Sequence, residues 1–361
     1  MAYLDFTSAL YLGLRHPHQR LSPWDALTLG KPAALEEPAA NGAVAQQLAR
    51  LQGGQRGLLA PSTLHLFFDL CGMLARDRVA IYHDAGIYPI ARWGIERAAA
   101  LGAPVRSFPH HDGDALRRAL LTGNKRLRPI VISDGACPGC GSVAPVPEYL
   151  ALVRERGGLL VLDDTQALGI LGHSPQVDEP YGRGGGGTLR WSGTGGPDLL
   201  VIASLAKGFG VPVAVLTGSL EMVAWFEARS ETRVHCSPPS AALVRAAQDA
   251  LRINAGKGDF LRRRLANLVR RFRTLLAQNG FSVSGELFPV QTLRGVPGAD
   301  CMALHEGLLR LGVKAVLHRP RAGTGALLSF LVSALHSPRE LETAVSVLAE
   351  VSGNGAGLEG F

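Results

Sequence analysis

Short apolar runs alternate with helical patterns along the middle of the chain, and this alternation is the feature that most constrains the fold. The apolar runs occupy residues 79–82, 105–108, 129–133, 159–162, 199–203 and 213–217. Amphipathic segments lie between the earlier runs, at residues 91–101, 114–121 and 147–156. Continuous apolar strands separated by helices are typical of a mostly parallel sheet that is covered on both faces. The pattern therefore predicts an α/β fold with a large domain built on such a sheet.

Polar residues follow four of these runs at the point where each strand ends. The positions are His83-Asp84, Ser133-Asp134, Asp163-Asp164 and the segment from Ser204 to Lys207. Because ligands of parallel sheets bind at the carboxyl ends of the strands, a ligand site is expected there.

Lys207 and Asp163 are the two strand-end residues with the most specific chemistry. Lys207 is surrounded by small residues, and a partly desolvated lysine is a nucleophile toward carbonyl compounds, including pyridoxal phosphate (PLP). Asp163 is suited to pair with a protonated pyridine nitrogen. Taken singly, each residue is better explained by a purely structural role. Lys207 would be a surface lysine between two strands, and Asp163 would be an aspartate that caps a turn.

Ser62 and Thr63 open an amphipathic run at residues 64–74, where the free N–H groups of a helix start suit a phosphate. Such caps are common and most of them bind no ligand. The order along the chain is more informative, since a phosphate-binding helix start, a strand-end aspartate and a strand-end lysine are the three anchors that PLP requires.

Two stretches resemble the signature segments of fold-type-I PLP-dependent enzymes. They are Val161-Leu162-Asp163-Asp164-Thr165-Gln166-Ala167-Leu168-Gly169 and Ser204-Leu205-Ala206-Lys207-Gly208-Phe209-Gly210. The chain is most similar to the α-oxoamine synthases of the class I/II aminotransferase superfamily, and the similarity runs from about Val44 to the C-terminus. It implies the type I PLP-dependent transferase fold, with a smaller C-terminal α+β domain after the large domain. The domain bounds are expected at residues 1–45 (N-terminal arm), 46–240 (PLP-binding domain) and 241–361 (linker helix and small domain).

The resemblance also implies roles for individual residues. Lys207 would form the Schiff base with PLP and later move the substrate's α-proton, and Asp163 would hold the pyridinium nitrogen. The remaining cofactor-binding positions are expected at Ser62, Thr63, His83, Asp134, Gln166, Ser204, His235 and Ser237. Members of this family are homodimers with shared sites, so His235 or Ser237 would reach the phosphate from a second subunit.

Three positions depart from the family's pattern. Gln166 replaces the histidine beneath the cofactor's phenolic oxygen, and the ring-stacking histidine falls near His83 in an ambiguous register with Asp84. The arginine that binds the substrate carboxylate falls at Ser329, so Arg319 or Arg321 is expected to supply that contact. If neither does, the substrate need not be a simple α-amino acid.

The cysteines and the N-terminal sequence bear on the cell compartment and on metals. Five cysteines and an N-terminus without the pattern of a signal peptide predict a cytoplasmic protein without a disulfide framework. No apolar run reaches the length of a membrane span. The single Cys137-Pro138-Gly139-Cys140 pair has no second pair to complete a zinc site, so free thiols and no metal are expected.

Two further segments leave alternatives open. The glycine-rich stretch from Gly182 to Gly196 is interpreted either as a mobile loop at the site or as a surface excursion. Helices are predicted at residues 241–253 and 261–276, and the second carries six arginines on one face. A solvated charged face is more common than a nucleic-acid site and no aromatic platform accompanies it, so no nucleic-acid partner is expected. The net charge of +7 favours anionic ligands such as phosphates or acyl carriers.

The sequence thus predicts a PLP-dependent enzyme and leaves three functions open. The first is an acyltransferase that joins an amino acid or amine to an acyl thioester. The second is an aminotransferase, or other PLP-dependent amine chemistry, motivated by Gln166 and Ser329. The third is a binding protein that has kept the fold and lost turnover.

Overall fold

The computed structural model describes residues 3–296, 298–319 and 325–353. In chain order, the strands are β1 (Leu4–Asp5), β2 (Arg56–Ala60), β3 (Val79–Asp84), β4 (Val105–Phe108), β5 (Arg128–Asp134), β6 (Leu159–Asp163), β7 (Leu199–Ser204), β8 (Ala214–Gly218), β9 (Ser282–Ser284), β10 (Val290–Arg294), β11 (Val313–Lys314), β12 (Val316–His318) and β13 (Leu327–Leu331). The α-helices are α1 (Ala39–Gln52), α2 (Thr63–Leu74), α3 (Pro89–Ala100), α4 (Gly113–Thr122), α5 (Val146–Arg154), α6 (Thr188–Ser192), α7 (Leu220–Arg229), α8 (Glu231–His235), α9 (Ala241–Gln278), α10 (Gly298–Arg310) and α11 (Pro338–Val351).

Seven strands form the main sheet in the order β2-β8-β7-β6-β5-β3-β4. The pairs from β4 through β7 are parallel, as the sequence predicts. Alternate residues of these strands point to opposite faces: Ile81 and Val161 pack on one side, while Tyr82 and Leu160 pack on the other. Because β3, β5, β6 and β7 are buried on both faces, their sequences are almost continuously apolar.

The last strand of the predicted series, β8, pairs antiparallel with β7 and with β2. The chain turns directly from Ser204 to Ala214 through the segment that holds Lys207, and this connection is too short for the crossover that a parallel pair needs. The sheet is therefore mixed at this edge. Three elements were not predicted from the sequence: β2, β10 and α7.

A four-stranded antiparallel sheet, in the order β12-β13-β10-β9, lies in the C-terminal part of the chain with α10 and α11. The N-terminal arm joins this part, because β1 pairs with β11 and Phe6 stacks on Phe272 and His336. The arm therefore packs on its own chain. The exact domain bounds remain a prediction.

The two helices expected after residue 240 are one continuous helix, α9, of 38 residues. Gly258 lies within it where a Cβ atom would come 2.7 Å from Nη2 of Arg262. Arg262 is 1% exposed, and its guanidinium bonds to Asp259, to the side chain of Asn254 and to the carbonyl of Gly169. The expectation that Arg262 lies on a solvated face was therefore wrong: it fastens α9 to the segment that follows Asp163.

The other five arginines of that face also donate hydrogen bonds to other segments of the protein. They are Arg263, Arg264, Arg270, Arg271 and Arg273, and they bind side chains or backbone carbonyl groups. The positive charge of α9 thus serves intramolecular contacts. None of the helices in the described ranges combines the length and the apolar character of a membrane span.

Candidate active site

A cavity of about 180 Å³ lies at the carboxyl ends of the parallel strands. The residues that line it come from five separate segments: Thr63, Tyr88, Asp134, Ala136, Pro138, Asp163, Thr165, Gln166, Ser204 and Lys207. Six of the predicted site residues therefore meet in one place: Thr63, Asp134, Asp163, Gln166, Ser204 and Lys207.

Strand register brings the two acidic residues together. Asp134 and Asp163 are paired positions at the ends of β5 and β6, and Ser204 ends the next strand, β7. Asp163 is 5% exposed, and its Oδ1 accepts a hydrogen bond from the Thr165 amide at 3.0 Å. The hydroxyl of Thr165 in turn accepts a bond from the Ser204 amide at 3.0 Å. These bonds connect the ends of β6 and β7 across the floor of the cavity.

Lys207 lies in a tight turn between β7 and β8. The turn is closed by hydrogen bonds from the Leu205 amide to Val213 and from the Val211 amide to Leu205. Gly208 makes this possible, since a Cβ atom there would come 2.4 Å from the carbonyl oxygen of Leu168. Burial lowers the pKa of Lys207, while the nearby carboxylates of Asp163 and Asp134 act in the opposite direction. A desolvated amine of this kind is suited to attack a carbonyl carbon.

The N-terminus of α2 faces the cavity at Thr63. Ser62 is the N-cap residue, yet its side chain does not cap the helix amides; its hydroxyl lies 2.9 Å from Nδ1 of His65 instead. The first amides of this 12-residue helix therefore lack a side-chain cap. A helix start with uncapped N–H groups and an adjacent threonine hydroxyl suits a phosphate group.

Gln166 is buried at the cavity and bonded to the N-terminal arm. The hydroxyl of Tyr11, itself 1% exposed, donates to Oε1 of Gln166 at 2.7 Å. With its carbonyl end held in this way, the amide NH2 group is the end of Gln166 that remains to donate to a ligand. Through Tyr11, the N-terminal arm thus holds a side chain that lines the cavity.

His83 does not line the cavity. Its Nδ1 lies 3.0 Å from the carbonyl oxygen of Asp84, so the ring folds back along its own strand. Tyr88, a few residues later at the start of α3, lines the cavity instead, and its amide donates to Oδ1 of Asp134 at 3.1 Å. Tyr88 was not predicted from the sequence, because the family resemblance points to a histidine; the available signal was an aromatic residue just before Pro89.

Three of the predicted phosphate and carboxylate contacts, His235, Ser237 and Arg319, are not among the residues that line the cavity. His235 and Ser237 are exposed around the end of α8, and Arg319 is exposed after β12. Arg321 lies outside the described residues. Ser329 is buried in β13, where its hydroxyl lies 2.7 Å from that of Thr292 and 2.8 Å from Nε2 of His318.

The glycine-rich segment is ordered around Asp164, the neighbour of Asp163. Both carboxylate oxygens of Asp164 accept hydrogen bonds from Thr188, the first residue of α6. The segment also pairs with residues 168 and 173 through single bridges. Neither interpretation made from the sequence included a regular element, yet a short helix begins at Thr188, where the buried Asp164 carboxylate accepts hydrogen bonds from the amide and the hydroxyl.

The environment of Asp164 leads to a prediction about pH. Burial raises its pKa from 3.8 to about 7. Between these values the folded chain keeps a proton that the unfolded chain releases, so stability should fall as the pH rises through this range. The amide side chain of an Asp164→Asn variant does not titrate. We therefore expect the free energy of unfolding of the native protein to fall, relative to Asp164→Asn, by on the order of 2–4 kcal/mol between pH 4 and pH 8.

Urea unfolding of both proteins at several pH values measures this difference. A difference that stays constant with pH would contradict a buried, titrating Asp164.

Comparison with known proteins agrees with the geometry of the cavity. The model of the family "aminotransferase class I and II" matches residues 80–348. The 8-amino-7-oxononanoate synthase 1 of Polaromonas sp. is 30% identical, over 98% of this chain and 88% of its own length. The 8-amino-7-oxononanoate synthase of Methylococcus capsulatus is 29% identical, over 96% and 88%.

Solved structures show the same fold at lower identity. Serine palmitoyltransferase of Sphingomonas wittichii superposes with a TM-score of 0.85 at 19% identity, covering 97% of this chain and 88% of that one. The 8-amino-7-oxononanoate synthase of Francisella tularensis gives a TM-score of 0.78 at 17% identity, covering 97% and 98%.

Proposed function

Because this chain belongs to the class I and II aminotransferase family and is a PLP-dependent transferase of the α-oxoamine synthase type, we propose that it joins the α-carbon of an amino acid to an acyl thioester. The acyl group would form a new carbon–carbon bond and the thiol would leave. The observation that carries the proposal is one cavity that contains Lys207, Asp163 and the start of α2. The similarity to 8-amino-7-oxononanoate synthases over nearly the whole chain supports the proposal that the first substrate of this chain is a small amino acid.

The donor set of the cavity fits PLP at each of its polar groups. Thr63, Ser204 and the amides of α2 would bind the phosphate. Asp163, as a carboxylate, would accept a hydrogen bond from the protonated ring nitrogen and so keep the ring cationic, and the amide of Gln166 would donate to the phenolic oxygen. Bound PLP supplies an electron sink for a carbanion at the substrate's α-carbon.

The residues of this chain then supply positioning and proton transfer. The amine of Lys207 would hold the cofactor through its aldehyde group, and in its free form the same amine would take the substrate's α-proton. Its lowered pKa favours the neutral, basic form that this step needs. Ser329 cannot form the bidentate fork of an arginine, so the substrate carboxylate must be bound by other groups of the site.

Product formation with separate substrates tests the reaction. The enzyme, loaded with PLP, is incubated with a panel of amino acids and an acyl-CoA, and free thiol is measured. We expect thiol release that requires an amino acid and no 2-oxo acid. Amino-group transfer to a 2-oxo acid without thiol release would replace this proposal with an aminotransferase. PLP binding without a spectral change on addition of any amine would indicate a protein that has lost turnover.

Tyr88 is expected to cover one face of the cofactor ring. Loss of one aromatic contact costs about 1 kcal/mol, so Tyr88→Ala should weaken PLP binding about fivefold, while Tyr88→Phe stays close to the native protein. His83→Ala is the matched control, because His83 is not among the residues that line the cavity. Fluorescence titration with PLP measures these affinities. A larger loss for His83→Ala than for Tyr88→Ala would restore the prediction made from the sequence.

A homodimer is expected to complete the site. His235 and Ser237 are exposed on their own chain and are not among the residues that line its cavity, so they are accessible to the phosphate of a neighbouring copy. Leu64, Phe68 and Val234 are exposed apolar residues on α2 and α8, next to the phosphate-binding start of α2. Sedimentation of the purified protein tests the dimer. The cytoplasmic location expected from the sequence also remains a prediction.

A further inference from the structure

Cys137, Cys140 and His110 form a cluster at the rim of the cavity. The two sulfur atoms and one imidazole nitrogen all lie within 4.8 Å of one another, and Nε2 of His110 is 3.4 Å from Sγ of Cys140. We propose that these three side chains bind a zinc ion, with water as the fourth ligand. This site is separate from the reaction proposed above and does not depend on it.

The backbone of the turn prepares Cys137 to act as a ligand. The amides of Gly139 and Cys140 both point at its sulfur, each at 3.4 Å, and the Gly141 amide donates to its carbonyl at 2.9 Å. Gly141 has a φ of 71°, a conformation that closes the turn and favours glycine. N–H groups directed at a sulfur stabilise the thiolate, which is the form that binds metals. Two cysteines separated by two residues have the spacing of zinc-binding turns.

The imidazole of His110 is held with one nitrogen toward the thiols. Its Nδ1 lies 2.7 Å from Oδ1 of Asp84, a buried carboxylate. Asp84 is itself fixed by the amides of Gly86 and His111. A carboxylate on Nδ1 leaves the lone pair of Nε2 for a metal, and such carboxylate–histidine pairs commonly orient zinc ligands.

The spacing and chemistry of the donors favour zinc. In a tetrahedral zinc site a thiolate and an imidazole nitrogen are about 3.5 Å apart, close to the separation of Cys140 and His110. Two thiolates and one imidazole suit zinc better than magnesium or calcium, which prefer oxygen. Ser142, whose hydroxyl lies 2.8 Å from Sγ of Cys140, is placed to hold the water.

The position of the turn gives the ion a structural role. Pro138, between the two cysteines, lines the cavity, and the carbonyl of Gly139 accepts a hydrogen bond from Thr292 at 2.9 Å. Thr292 also contacts Ser329, the position where the family carries its arginine. An ion bound to both cysteines would hold this turn between the cavity wall and β10.

The sequence led to the opposite expectation of free thiols without metal. All five cysteines are free thiols in the structure. The third donor, His110, could not be predicted from the spacing of the cysteines. It lies 30 residues from Cys140, in the loop after β4.

Metal content tests the proposal independently of catalysis. The PLP-loaded protein is treated with a chelator, dialysed against zinc alone or cobalt alone, and freed of loose metal. We expect about one zinc per chain by mass spectrometry, and for cobalt the absorption of a tetrahedral ion with thiolate-to-cobalt charge transfer. Cys140→Ser and His110→Ala should each lower the retained zinc at least tenfold. Cys236→Ser, at a partly exposed free cysteine, should retain it.

Two measurements on the native protein can contradict the zinc proposal. One is less than a tenth of an equivalent of zinc after dialysis, and the other is a cobalt spectrum without thiolate charge transfer. Formation of a Cys137–Cys140 disulfide in a protein that retains no zinc would also contradict it, and would assign the pair to thiol redox chemistry. Failure of the acyl transfer reaction with zinc retained would affect only the proposed function.

Discussion

Lys207→Ala protein should no longer attach PLP covalently when reduced with borohydride, and its turnover should fall by at least about a thousandfold. Lys207 is the lysine in the cavity wall, and its turn is held by two backbone hydrogen bonds and by the packing of Gly208 on Leu168. Alanine keeps the backbone and removes the only described amine that the cavity presents. The expected effect is therefore large and confined to the covalent bond and proton transfer.

The measurement is mass spectrometry after borohydride reduction, together with thiol release in the acyl transfer assay. Lys257→Ala, at an exposed lysine of α9, is the matched control and should behave as the native protein. A Lys207→Ala protein that still gains the mass of reduced PLP would assign the covalent bond to another lysine.

Asp163→Asn should retain bound PLP and lose turnover by about a hundred- to ten-thousandfold. The carboxylate is nearly buried at the end of β6 and favours a proton on the cofactor's ring nitrogen, whereas a neutral amide of the same shape does not. Without that positive charge the ring is a weaker electron sink, which raises the barrier for forming the carbanion.

Asp164→Asn is the control for this experiment. Its carboxylate follows Asp163 directly but bonds to Thr188, away from the cavity. Turnover of PLP-saturated Asp164→Asn should therefore stay near the native value. Equal losses in the two variants would mean that a general disturbance of the strand end, and not the charge on Asp163, accounts for the effect.

Most of the large sheet could be predicted from the sequence. Strands β3, β5, β6 and β7 are apolar runs buried on both faces, so hydrophobicity alone marks them. The edge was less predictable. β2 begins with Arg56 and Gly57, which interrupt the apolar signal, and the direction of β8 depends on the length of the turn that holds Lys207.

The candidate site also contains residues that could be predicted from the sequence and others that could not. Lys207, Asp163, Thr63 and Ser204 could be located from the sequence because each stands at the end of a recognisable strand or the start of a helix. The presence of Tyr88 in the cavity and the bond of Gln166 to the N-terminal arm could not be predicted in this way. Whether a side chain covers the cavity or binds the arm depends on packing, as the bond between Tyr11 and Gln166 illustrates across 155 positions of the chain.

The sequence by itself determined the fold class and the positions of the lysine and the aspartate, because apolar periodicity and strand ends are local properties of the chain. Only the tertiary structure decided that Tyr88 and not His83 reaches the cavity, that Arg262 is buried, and that His110 meets Cys140. Each of these contacts joins segments far apart in sequence. Strand register and side-chain packing, which no spacing along the chain specifies, bring those segments together.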